Sequence, residues 1–255
     1  MAMDLGVMGM IVDAHVHLKH GDIRRTEYSP EVIVETMDRV GIDKSVVFAM
    51  STTTKRSIEM ALEAVRKYPG RLIPFVYALP NYERPVIAEL EEAITKLGFK
   101  GIKLHAGECT LAEYVTDPVI ALAEKLDVPC LIDCMGRFWD IERMARCFPG
   151  AKLIVAHLGR YLCEDEALIN RFIELALKYR NIFLDVSGVA LTHKIREAVS
   201  KVGSDRVIFG TDGPHEAPDT VGFAKRELDK IKALNLNPED EEAVLGGTIA
   251  RLLRI

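Results

Sequence analysis

The strongest constraint on how this chain folds is a rhythm of short apolar runs, each followed by a stretch with helical periodicity. The runs are Met10–Leu18, Lys44–Met50, Leu72–Leu79, Gly101–His105, Val128–Cys134, Lys152–His157, Asn181–Ser187 and Arg206–Thr211. Unbroken apolarity, rather than in-and-out alternation, marks parallel strands covered on both faces. The intervening segments carry the spacing of amphipathic helices. In Pro30–Val40, for example, Val32, Ile33, Thr36, Met37 and Val40 form one stripe between an opening Pro and the stop at Gly41. Further helices are expected over Lys55–Tyr68, Pro85–Leu97, Pro118–Leu126, Asp140–Cys147, Glu164–Tyr179, Thr192–Val202 and Thr220–Leu234, with an extra one over Pro238–Leu253. This repetition in 255 residues predicts an α/β protein, a (β/α)8 barrel (TIM barrel) with a C-terminal extra helix, as one domain over residues 1–255. A doubly wound open sheet normally carries a glycine-rich turn after its first strand, and no GxGxxG follows Leu18.

Composition narrows the partners. A net charge of −5 offers no basic footprint for nucleic acid. No apolar run approaches the ~20 residues of a membrane span. The start, Met1–Met10, lacks the basic and apolar regions of a secretion signal. Cys109, Cys130, Cys134, Cys147 and Cys163 are odd in number and form no CxxC pair, which suits reduced thiols. The expectation is a soluble cytoplasmic protein with a small-molecule substrate, no nucleic-acid or membrane partner, and a homodimer as the default assembly.

In such barrels chemistry gathers at the C-terminal ends of the strands. Those ends carry His15 and His17, Lys103 and His105, Asp133, His157, Asp185 and Ser187, and Asp212. Side chains alternate along a strand, so His15 and His17 are expected on one face, with Ala14 and Val16 on the other. Two parallel imidazoles form half a site for a divalent metal.

Asp13-Ala-His-Val-His17, Gly101-Ile-Lys-Leu-His105, Ala156-His-Leu-Gly159 and Gly210-Thr-Asp-Gly-Pro-His215 resemble the strand motifs of the amidohydrolase superfamily. The similarity is to its amidohydrolase-related branch, which also includes metal-dependent decarboxylases. It extends to Leu245–Leu253, which is similar to that branch's closing helix with Thr-Ile in place of Asn-Ala. The resemblance implies His15 and His17 as metal ligands. Asp212 would touch the metal, take a proton from bound water, or both, and His157 would act as general acid/base or electrophile. The activity implied is a metal-dependent hydrolase that cleaves a C–N or C–O bond of a small, anionic substrate with metal-activated water. Three alternatives remain: a metal-dependent decarboxylase on the same scaffold, a nuclease-like phosphoesterase, and a non-catalytic barrel with a degenerate metal site. The phosphoesterase would call for a Glu where Lys103 stands and for a basic face.

One departure from the branch pattern stands out. The fifth strand usually supplies a histidine, and here it reads Pro129-Cys-Leu-Ile-Asp-Cys-Met135. Asp133 is the expected substitute ligand, His105 the next, and loss of the site the third outcome. With Asp133 facing the mouth, Cys134 would face the helices. Zinc is the expected ion, and the harder donor Asp133 adds would suit manganese or iron as well as zinc. Lys103 is read as a substrate-anion contact, an ion-pair partner of Asp133, or, as elsewhere in the superfamily, a carboxylated bridge between two metals. Lys103, His105, Arg137 and Arg160 are the expected substrate contacts. Trp139, Tyr161 and the first-loop residues His20, Arg24 and Arg25 lie near the same rim, His215 is expected beside the ligands, and His193 towards solvent.

Overall fold

The computed structural model describes residues 9–215 and 218–255, so most of the N-terminal stretch read for a secretion signal lies outside the described residues. Eight parallel strands run in sequence order, β1 (Val12–Lys19), β2 (Lys44–Ala49), β3 (Leu72–Tyr77), β4 (Gly101–His105), β5 (Pro129–Asp133), β6 (Lys152–Val155), β7 (Ile182–Asp185) and β8 (Val207–Ile208). The sheet curls back on itself. Ala14 N–H donates to Phe209 O at 3.1 Å and His17 N–H to Gly213 O at 2.7 Å, which joins β1 to the segment after β8. The fold is the expected (β/α)8 barrel.

The helices between strands are α1 (Pro30–Val40), α2 (Thr54–Lys67), α3 (Ile87–Lys96), α4 (Glu113–Lys125), α5 (Phe138–Cys147), α6 (Glu166–Lys178), α7 (Thr192–Val202) and α8 (Thr220–Lys232). Local chemistry sets several ends. Ser29 and Thr53 cap α1 and α2 through their hydroxyls, and Gly41 ends α1 at φ 86°. Two apolar layers result. Ile33, Val47, Val76, Leu104 and Leu153 belong to the layer between barrel and helices. Val46, Phe48, Phe75, Leu131, Ile154 and Ile208 fill the barrel interior.

Three expected boundaries shift. The helix expected from Pro118 begins at Glu113, with Pro118 inside it. The missing proline N–H leaves only the Tyr114 carbonyl without its helical donor, close to the helix start where water reaches it. The eighth strand is shorter than Arg206–Thr211, because Phe209 N–H pairs with Val244 O and Thr211 N–H with Asp13 Oδ1. The C-terminal helix is interrupted: α9 (Pro238–Glu242) and α10 (Thr248–Leu253) are joined by a wider turn at Ala243–Gly247. There the chain passes so close to β1 that a Cβ on Gly246 would sit 1.8 Å from Met10 O. Ile249, Leu252 and Leu253 of α10 then pack into the interior layer.

Candidate functional site

The site is built on a defect in the first strand. Asp13 pairs with Ser45 but Val16 with Val47, so three steps along β1 oppose two along β2. One extra residue is a β-bulge, which re-aims the side chains around it. Val12 and Ala14 pack in the interior layer, whereas Val16 and Leu18 pack in the outer one. The expectation that Ala14 shares a face with Val16 therefore fails at the bulge. His15 and His17 nonetheless line one cavity of about 400 Å³ at the barrel mouth, together with Lys103, Asp133, His157 and Asp212. Met50, Met135, Arg160 and Tyr161 form its outer wall.

His157 and Asp212 both hold left-handed backbone, at φ 60° and 61°. Such conformations cost on the order of 1–3 kcal/mol each and persist only where neighbours hold them. His157 N–H donates to buried Asp185 Oδ1 at 3.2 Å, and the same oxygen accepts from Ser187 N at 3.1 Å and Ser187 Oγ at 2.5 Å. On the other side, Asp13 accepts from His15 N, Thr211 N and Thr211 Oγ1. Two buried carboxylates thus shape the turns that carry the site.

Asp212 Oδ1 lies 3.0 Å from both His15 Nε2 and His17 Nε2, and its Oδ2 lies 3.4 Å from His215 Nε2. Lys103 Nζ donates to His15 Nε2 at 2.9 Å. A lysine has no acceptor to offer, so His15 carries its proton on Nδ1, towards Ser187 Oγ (3.2 Å) and Asp185 Oδ2 (3.6 Å). The bare Nε2 then faces a carboxylate oxygen. Two acceptors at that separation require a cation beside them, a place the Lys103 ammonium takes here.

The donors fit a divalent metal. His15, His157 and Asp212 offer ligand atoms within 4.8 Å of one another, and His17 reaches the same Asp212 oxygen. His17 Nδ1 is buried without a hydrogen-bond partner among the described residues. Imidazole and carboxylate donors suit zinc, manganese or iron. A buried carboxylate such as Asp185, 3.6 Å behind His15 Nδ1, is the usual means of fixing a ligating imidazole.

Asp133 occupies itself differently. Its Oδ2 lies 3.1 Å from His105 Nε2 and 3.4 Å from His157 Nε2, and its Oδ1 accepts from Met135 N at 3.0 Å. Gly107 N–H donates to His105 Nδ1 at 3.0 Å, so the His105 proton is on Nε2, pointed at Asp133. His157 Nδ1 donates to Ser187 O at 2.8 Å. Cys134 turns away, with its thiol on Gly159 O at 3.2 Å, as parity predicts.

The charges follow from this packing. Burial alone would lower the His157 pKa, but the charge of Asp212, the hydrogen bond and charge of Asp133, and the charge of Asp185 outweigh it and raise it to about 9. Burial would raise Asp212, yet the imidazoles of His15 and His157 beside it and the hydrogen bonds of His17 and His215 hold it well below the usual carboxylate range. Asp133 is held low against its own burial by the hydrogen bonds of His105 and His157. Burial lowers Lys103 despite three carboxylates around it, and lowers His20, stacked on His17, to about 4.

Several rim expectations fall outside the cavity. Arg137 precedes α5 on the exposed surface and does not line the cavity, nor do Trp139, Arg24 and Arg25. His193 pairs with Glu166 on the surface at 3.4 Å. His20 and His215 do line it, their rings 4.2 Å apart. The sequence assigns no role to Asp13, Asp185 and Ser187, although Asp13 sits in the first-strand motif and the other two end a strand. No sequence signal marks Glu227, Tyr77 or Glu108, which brace the turns around the mouth.

The fold and the mouth together define a (β/α)8 barrel with a His/Asp centre of the kind that binds divalent metals. The Amidohydrolase family model matches residues 12–255, and the chain belongs to that family. It is 24% identical over 257 residues to a gamma-resorcylate decarboxylase from Polaromonas sp. (strain JS666 / ATCC BAA-500), covering 77% of this chain and 78% of the relative. A dihydroxybenzoic acid decarboxylase from Polaromonas sp. JS666, solved with bound manganese and 2-nitroresorcinol, superimposes with a TM-score of 0.72 at 18% identity over 97% of both chains. A probable 2-pyrone-4,6-dicarboxylic acid hydrolase from Acinetobacter baumannii, solved with citric acid, gives 0.72 at 16% identity over 96% of this chain and 99% of the other. At these identities the structural likeness shows the fold.

Proposed function

We propose that this protein is a metal-dependent decarboxylase acting on a small aromatic carboxylic acid. The hydrolase implied by the motifs is the second reading. The observation that carries the choice is the proton inventory of the mouth. His157 has Ser187 O at 2.8 Å from Nδ1 and Asp133 Oδ2 at 3.4 Å from Nε2, two acceptors that favour a proton on both ring nitrogens, whereas Asp212 is taken up by the imidazoles of His15 and His17. Decarboxylation needs an acid: the C–C bond breaks, its electron pair stays on the ring carbon, and a proton must be delivered there. Hydrolysis first needs a base to take a proton from water. The decarboxylase relatives support the same choice, and the hydrolase neighbour keeps the second reading specific.

His15, His17 and Asp212 would hold a divalent ion, with manganese placed ahead of zinc on the relative's bound metal. That ion would supply Lewis-acid charge to the oxygens of the substrate. Without it the mouth sets Asp133, Asp185 and Asp212 against Lys103 and His157, a negative balance; two added positive charges reverse the sign and admit an anion. Lys103, at the floor, is assigned to the carboxylate and Arg160 to the rim of the ring. Asp133, both oxygens engaged, is assigned not as a ligand but as the anchor that keeps His157 protonated and aimed. Tyr161, edge-on to His157 at 5.2 Å, and Met135 would flank a flat ring.

The test is product analysis. Manganese-loaded protein incubated in D2O with dihydroxybenzoates and 5-carboxyvanillate should release CO2 and leave one deuterium on the ring carbon. Absence of CO2 across that panel, with turnover of a lactone or amide instead, would sink the lyase and restore the hydrolase.

A further inference from the structure

Behind the turn that follows β7, helix α8 presents a buried carboxylate to the backbone. Glu227 is only 7% exposed. Its Oε2 accepts the N–H of Gly188 at 3.1 Å, and its Oε1 accepts from Lys230 Nζ at 2.6 Å. Lys230 also donates to Val189 O at 3.2 Å, and Gly188 O accepts from Leu162 N at 3.0 Å. Three consecutive residues of the turn are therefore gripped, with Ser187 O taking the Nδ1–H of His157 at 2.8 Å.

The other side of the turn is closed as well. Gly188 sits at φ +59°, and a Cβ there would lie 2.3 Å from Tyr161 Cε2. The Tyr161 ring in turn packs edge-on to His157. Pressed between Tyr161 and α8, the Ser187–Gly188 peptide has no room to rotate while Glu227 holds its N–H. That peptide carries the carbonyl that sets which His157 nitrogen bears the fixed proton and where the other nitrogen points. An apolar side chain at position 227 would fill the gap without desolvating a charge, but it would leave the Gly188 N–H unpaired and the peptide free to turn.

We propose that Glu227 is a positioning residue for His157: it locks the Ser187–Gly188 peptide so that Ser187 O holds Nδ1–H and Nε2 stays turned to Asp133 in the cavity. This rests on the reading of His157 as the proton donor. Glu227 does not line the cavity, so its loss leaves substrate and metal binding alone and acts on the chemical step.

The experiment compares wild type, Glu227→Met and Glu227→Gln, all manganese-loaded for kinetics and metal-free for NMR with 15N-labelled histidine. Glu227→Met is expected to lower kcat about tenfold or more with KM little changed, the scale of a displaced catalytic group. Its His157 Nδ1–H resonance should shift and exchange faster with water. Glu227→Gln keeps an acceptor for Gly188 and should restore both. A Glu227→Met protein that melts earlier but keeps the wild-type kcat and His157 resonance would overturn the proposal, as would a fall in kcat with that resonance unmoved. If no aromatic acid is turned over by any variant, the proton-donor reading fails on its own, and a shifted His157 resonance still upholds the positioning.

Discussion

Replacing Asp133 with Asn tests the centre most directly, because it keeps the shape and removes the charge. The carboxylate is largely buried and takes His105 and His157 on one oxygen. Charge-assisted hydrogen bonds to such a group are worth about 1.5–3 kcal/mol each, and breaking a buried pair costs about 3–5 kcal/mol. Asp133→Asn should therefore lose about 3 kcal/mol at neutral pH. For a domain of this size that is a fall in Tm of roughly 6–12 °C. The pH dependence has a definite sign. The His157 pKa is raised from 6.5 to about 9, so its contribution is complete below pH 6.5 and drains away as pH rises through 9. Each unit is worth about 1.4 kcal/mol, so wild type should lose up to about 3 kcal/mol across that window and Asp133→Asn clearly less. The assays are thermal unfolding across that pH window, the alkaline limb of the kcat profile, and elemental mass spectrometry after manganese loading. The limb should move to lower pH while metal content stays at the wild-type level. Loss of metal in Asp133→Asn would refute the assignment and make Asp133 the substitute ligand. An unmoved alkaline limb with metal retained would refute His157 as the acid.

Two other outcomes follow from the geometry. His15→Ala/His17→Ala should reduce bound manganese from about one ion per chain to background, as expected when two of a few ligands are removed, and retention of the ion would place the site elsewhere. Asp13 has its pKa raised by burial from 3.8 to about 7, so the folded state keeps a proton that the unfolded chain has released. The Asp13 share of wild-type stability should fall by up to about 4 kcal/mol as pH rises from 4 to 7, opposite in sign to the gain from buried His20, whose pKa is lowered to about 4. Asp13→Asn should remove that share, so its stability relative to wild type rises with pH across the window in chemical denaturation, and an identical pH slope in both proteins would refute the shift.

Much of this protein is legible in its sequence, for local reasons. The eight strand–helix units are written in apolar runs and helical stripes, since burial on both faces of a parallel strand leaves no polar alternation to obscure them. His15, His17, Lys103, His157 and Asp212 could be named because strand ends in a barrel converge whatever the loops do. What the sequence could not decide was which of those groups meet. The bulge that turns both Ala14 and His15 inward depends on pairing with Ser45 and Val47 across a neighbouring strand. Lys103 meets His15 across 88 positions of chain, and Asp133 is claimed by histidines from the strands on either side. The left-handed turns at His157 and Asp212 are held by Asp185 and Asp13 from other strands, and Glu227 reaches the site only through a backbone N–H. Strand order and burial are set by residues acting on their neighbours in the chain; the charge on a buried imidazole is set by carboxylates that only barrel closure brings within reach.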